Sequence, residues 1–194
     1  MMKTKVNLGD LRTAMKAALG SASKDEARPH IACVYLGASD GRLAAVGTDG
    51  HRLTRVVMDS KDIPSLFEVS VQRDEAERLL MNLRKQNESA ELELTIEPLG
   101  LVVGRFGTFL TASETFPPYR KVIPKVPEED VLVPKEGVGL NPSYLIEAAQ
   151  VFAQVYGKKR GVKWYPSAHT LDPLHFVADD GGLETTVVVM PMRT

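Results

Sequence analysis

One order of elements occurs three times along this chain, and it restricts the fold more than any other feature. KVNLGD alternates as a short strand, and LRTAMKAALG follows with Leu11, Met15, Ala18 and Leu19 at helical spacing. Asp10 suits the N-cap of that helix and Gly20 its stop. HIACVYLGAS, GRLAAVGT and HRLTRVVMD then read as three strands. They are divided by Asp40-Gly41 and Asp49-Gly50, dipeptides that favour two-residue hairpin turns. The strand SLFEVSVQ opens the same order again. Its helix RDEAERLLMNLRKQ carries Ala76, Leu79, Leu80 and Leu83 on one face, and AELELTIEP, LGLVVGRF and GTFLTASE follow as strands. After TFPPYRKVIPKVPEED, a strand within VLVPKEGVGL begins a third unit. Its helix NPSYLIEAAQVFAQVY takes Asn141 as N-cap and Pro142 as first helical residue, and GVKWYPS, LHFVAD and ETTVVVMPM close it. The units share an order over roughly 60 residues each without sharing a sequence, so the repeat is one of pattern.

A chain of 194 residues makes one large domain or two small ones. With 43% apolar and 25% charged residues it can build an ordered core. A net charge of −1 lacks the strongly basic balance of a simple DNA-binding module, although local basic patches remain open. Cys33 is the one cysteine, which excludes an internal disulfide and a cysteine-rich zinc site, and its setting in HIACVYL suits a small buried thiol. The N-terminus has no apolar signal segment, and no apolar run nears the roughly 18 residues of a membrane span. A reducing, cytoplasmic compartment without membrane contact is expected.

Catalysis finds little support. None of His30, His51, His169 and His175 stands in an HExxH spacing or beside a GxSxG elbow, and no P-loop or GxGxxG occurs. Asp49 and His51 flank a glycine, the pattern a type I′ hairpin needs for positive φ, and this turn outweighs a catalytic pair. Glu128-Glu129-Asp130 and Asp179-Asp180 fall in loop-like stretches and suit a solvated surface. No catalytic residue, metal ligand or cofactor is expected. Basic residues gather on the helices: Lys3, Lys5, Arg12, Lys16 and Lys24 in and around the first, Arg73, Arg78, Arg84 and Lys85 on the second, Lys158, Lys159 and Arg160 after the third. Such a face suits sequence-independent phosphate contacts, although Lys and Arg also favour exposed helix faces and helix C-termini without any ligand.

Four stretches, in this order, are GTDGHRLTR (47–55), FPPYRKVIP (116–124), NPSYLIEA (141–148) and VVVMPMR (187–193). They resemble motifs of the bacterial replicative sliding clamp, the beta subunit of DNA polymerase III, and the resemblance spans nearly the whole chain. It implies an α+β fold of the sliding-clamp (DNA clamp) type, with three strand-helix-strand-strand-strand units and helices on one face of antiparallel sheets. Residues 1–116 resemble the clamp's complete middle domain, 117–125 form a linker, and 126–194 resemble the C-terminal half of its last domain. The clamp's first domain and the first half of its last have no counterpart.

The resemblance also implies a function: a non-catalytic processivity factor that encircles duplex DNA and recruits polymerase, clamp loader or repair proteins through short apolar motifs. Twelve units make the bacterial ring, so three per chain would close a ring as a homotetramer through head-to-tail contacts. DNA contacts would then come from Arg12, Lys16, Arg73, Arg78, Arg84, Lys158, Lys159 and Arg160. The peptide-binding pocket would take Thr48, Gly50, His51, Arg52 and Leu53 from the hairpin, Pro117, Lys121 and Val122 from the linker, Val188, Met190, Pro191 and Met192 from the C-terminal strand, and Tyr35 at its edge. A different class is a clamp-like adaptor that does not encircle DNA and binds, or competes for, clamp-interacting partners.

Overall fold

The structure, a computed structural model, describes residues 1–126, 137–157, 159–166 and 169–192. The first unit is β1 (Met2–Asn7), α1 (Leu8–Ser21), β2 (Cys33–Ser39), β3 (Arg42–Thr48) and β4 (Arg52–Met58), with a two-residue strand β5 (Ser60–Lys61) after it. The second is β6 (Glu68–Gln72), α2 (Arg73–Leu83), β7 (Glu91–Glu97), β8 (Gly100–Val103) and β9 (Thr108–Phe109). The third holds α3 (Pro142–Tyr156), β10 (Lys163–Tyr165), β11 (Leu174–Asp179) and β12 (Leu183–Val189). Its opening strand, expected within VLVPKEGVGL, lies largely outside the described residues, as do Glu128-Glu129-Asp130.

The units interlock by exchanging their first strands. β1 leaves its own unit and pairs antiparallel with β7, from Met2 opposite Ile96 to Asn7 opposite Glu91. In return β6 pairs with β2, from Cys33 opposite Gln72 to Gly37 opposite Glu68. β12 joins β4 along seven residues, from Leu183 opposite Met58 to Val189 opposite Arg52. Two sheets result, in the orders β5-β1-β7-β8-β9 and β10-β11-β12-β4-β3-β2-β6.

The strand alternation explains the layers. On the second sheet Leu36, Leu43, Val56 and Val187 face the helices, and with Leu94 and Leu101 of the first sheet they enclose Leu11 and Met15 of α1, Leu79 and Leu83 of α2, and Val151 and Phe152 of α3. Alternate residues Cys33, Val46, Leu53 and Val188 point to the opposite face and join a second, smaller cluster. The predicted helix faces are buried, apart from Leu80, which is half-buried at the rim.

Two helix ends differ from expectation. Asn7, not Asp10, caps α1: its backbone is extended, and its side chain accepts from the Asp10 N–H at 3.1 Å. Leu8 and Gly9 are already helical, so Asp10 sits inside the first turn. At the other end α1 runs past Gly20 to Ser21. The stop is built from a distance: the Arg73 guanidinium donates to the carbonyls of Leu19, Ala22 and Ser23 at 3.3, 3.0 and 3.3 Å. Close packing of this helix on β3 needs Gly47, where a Cβ would lie 1.9 Å from the Ala18 carbonyl oxygen.

The two predicted hairpin turns also part ways. Asp40 and Gly41 both take positive φ, 52° and 77°, as a type I′ turn requires. At the second site Gly50 has φ +94° but Asp49 is not in the positive region, and β3 and β4 are joined by three residues, Asp49 to His51. The expected two-residue type I′ turn is replaced by a longer loop held by the Asp49 side chain.

Candidate docking seam and basic helix face

That loop is where the site begins. The Asp49 carboxylate accepts from the backbone N–H groups of His51 and Arg52 at 2.9 and 3.1 Å, and from Arg52 Nε at 3.1 Å. Its lone pairs serve the loop's own geometry. His51 is exposed and stacks on Tyr144 of α3, ring centroids 5.8 Å apart at 26°. Thr48 Oγ1 accepts from the Gly50 N–H at 3.1 Å and donates to the Arg52 carbonyl at 2.7 Å. Arg52 is the hub: it donates to the Gly20 carbonyl at 3.0 Å, pairs with Glu147, and lies 5.6 Å over the Tyr144 ring. One side chain thus ties β4 to the end of α1 and to α3.

Along the β4–β12 seam Leu53 stands opposite Val188, and both are buried with Val46, Cys33, Phe116 and the linker residue Tyr119. Burial pushes the Cys33 thiol up to about 11, as befits an inert core group. Tyr35 stacks on Phe116 at 5.1 Å and 27°, and lies 5.6 Å from Tyr119. Its hydroxyl donates to Glu68 at 3.1 Å, and burial, followed by the Glu68 carboxylate, raises its pKa.

Beside the linker a cleft of about 560 Å³ takes Tyr35, Pro117 and Lys121 from the predicted set, with Glu68, Ser70 and Tyr119. The C-terminal residues gather instead around the hairpin. Met190 N–H donates to the His51 carbonyl at 2.8 Å, and Met192 N–H to the Gly139 carbonyl at 2.9 Å, just before α3. Met190 and Pro191 are half-buried, while Val122 and Met192 are exposed. Hairpin, linker and terminal strand therefore meet around the buried pair Leu53 and Val188, with the Met190 backbone bonded to the hairpin. Phe116, Tyr119 and Tyr144 belong to this surface and were not among the predicted residues; their signal lay in the aromatics of FPPY and NPSY.

On the helix side, Arg12, Lys16 and Arg84 line a groove of about 860 Å³ between α1 and α2, which Gln154 of α3 also reaches. The groove is mixed in charge, since Glu77 and Glu88 line it too and Arg12 pairs with Glu88. Arg73 is engaged with the end of α1 and with Glu77 at 3.3 Å. Arg78 pairs with Glu75, donates to the Thr108 carbonyl at 2.7 Å and lies 4.3 Å over the Phe109 ring. Lys159 is exposed after α3, and Arg160 donates to the Asp179 carbonyl. Lys158 lies outside the described residues. Among the described residues no His, Cys, Asp and Glu cluster could hold a metal ion, and no helix is long and apolar enough to cross a membrane.

Interlocked βαβββ units, helices on one side and a strand seam between units define the α+β sliding-clamp fold. Solved structures bear this out. The DNA polymerase III subunit beta of Pseudomonas aeruginosa superposes with a TM-score of 0.79 at 19% identity, covering 100% of this chain and 66% of that one. The corresponding subunit of Thermotoga maritima gives 0.80 at 15% identity, covering 100% and 66%. Caulobacter crescentus pol III beta gives 0.76 at 20%, covering 99% and 66%. The chain thus spans 66% of the length of these clamps. Neither a protein-family model nor a curated protein sequence matches it.

Proposed function

We propose that this chain is a shortened sliding clamp: a non-catalytic ring-forming factor that encircles duplex DNA and recruits polymerase or repair proteins at the hairpin–linker–strand seam. One observation carries the reading. The helices lie together on one face of the sheets, with Arg12, Lys16 and Arg84 on a shared groove, while the Leu53–Val188 floor of the seam lies on the opposite face. A ring with helices inward would put weak, salt-sensitive phosphate contacts in its hole and leave the seam free for partners. Four copies of three units would supply twelve. The seam suits short apolar peptides, because Met190 and Met192 can adapt to different side chains beside a fixed floor.

The experiment is retention on DNA. A ring that holds by topology stays on nicked circular DNA and is lost from the same DNA once linearised, because it slides off the ends. Equal loss from both forms contradicts encirclement. A second reading, an adaptor that docks on clamp-binding partners without encircling DNA, is favoured by the acidic neighbours of the groove: Arg12 is paired with Glu88, and Arg73 and Arg78 are bonded internally. Under it, peptide binding at the seam persists while neither DNA form retains the protein.

A further inference from the structure

The first two units show how two such units complete one another. Each lends its first strand to the other's sheet, and α2 comes to lie against β2 and β6. Val34 and Leu36, on the helix side of β2, are fully buried as a result. The third unit has the same helix and three following strands, while its first strand lies largely outside the described residues. Among the described residues β10 pairs with β11 alone. Trp164 on β10 stands opposite Phe176, which packs against the helix-side core, so the indole is on that same face. It occupies the place that Val34 and Leu36 hold in the first unit, yet it is 52% exposed. On α3, Ile146, Ala149 and Ala153 recur at intervals of three and four and are all exposed, a narrow stripe with room for a second helix. The stretch joining Phe116 to Asn141 is far too short to contain a unit that would cover them.

We propose that a second copy of this chain closes that side. About a twofold axis, the Trp164 face of β10 and the Ile146–Ala149–Ala153 stripe of each copy pack on those of the other, so that two half-domains share one core as α1 and α2 do within residues 1–116. The same face meets itself, so the contact is isologous, unlike the head-to-tail repetition expected from unit counting. Packing also covers an exposed indole that would otherwise invite unspecific association. The dimer stands independently of the ring reading, because it needs neither DNA nor closure at the other edges.

Trp164 is the only tryptophan, so its fluorescence reports on this contact alone. The test follows emission and acrylamide quenching of the full chain from nanomolar to tens of micromolar, with sedimentation velocity in parallel. As dimer forms, emission should move to shorter wavelength and quenching should fall by about two-fold or more. Ala153→Arg, at an exposed helix position, should keep the chain monomeric with Trp164 quenchable and the circular dichroism spectrum unchanged; Ala149→Arg serves if that variant misfolds. A monomer throughout, a dimer whose Trp164 stays fully quenchable, or a well-folded arginine variant that still dimerises would each overturn the proposal. Failure of DNA retention would leave this result untouched, so the two ideas fail separately.

Discussion

Leu53 of β4 lies directly across from Val188 of β12, and both side chains are buried in one cluster with Phe116. This pair joins the first unit to the third and forms the floor of the proposed docking seam. Leu53→Ala should therefore destabilise the fold by about 3 kcal/mol, through lost burial and an unfilled cavity. Urea unfolding would check it. A loss under about 0.5 kcal/mol would show that the seam is not packed as described.

The basic residues separate into two groups. Arg12→Ala, Lys16→Ala and Arg84→Ala remove groove charges and should each weaken DNA binding about equally on any sequence, with little change in stability. Arg73→Ala takes three acceptors' partner from the end of α1 and should cost about 2 kcal/mol of stability. Fluorescence anisotropy with unrelated duplexes at several salt concentrations measures the first effect, and thermal unfolding the second. Binding that withstands salt or prefers one sequence would contradict a loose phosphate surface.

His175 gives stability a pH dependence. Burial holds its imidazole below the ordinary 6.5, and Nδ1 has no hydrogen-bond partner among the described residues. As pH falls through 6.5 the unfolded chain takes up a proton that the folded state resists. Stability should drop over that window and be insensitive to this group above it. Urea midpoints at about pH 7.5 and about pH 5.5 would show the drop, and His175→Gln should reduce it. An unchanged drop in the variant would assign it to other groups.

Local chemistry made much of this fold readable. Asn141-Pro142 marked the start of α3, and strand alternation marked the two sheet faces, because both signals act within a few residues. Strand exchange was not readable, since nothing local in β1 says that it leaves its own unit for β7. The same holds for the stop of α1, where Gly20 looked sufficient and a guanidinium from α2 supplied the hydrogen bonds. At the site, the motifs named Leu53, Val188 and Met190, but only the folded chain placed Tyr144 against His51 and Arg52. Asp49 and His51, a conceivable catalytic pair in one dimension, are a loop clamp and an exposed ring in three.

Ring assembly is the central claim, and native mass spectrometry at low micromolar concentration tests it most directly. The account predicts a closed species near four times 21.3 kDa, with a dimer as its intermediate. A chain that remains at 21.3 kDa, or stops at a dimer under every condition that preserves the fold, would contradict it.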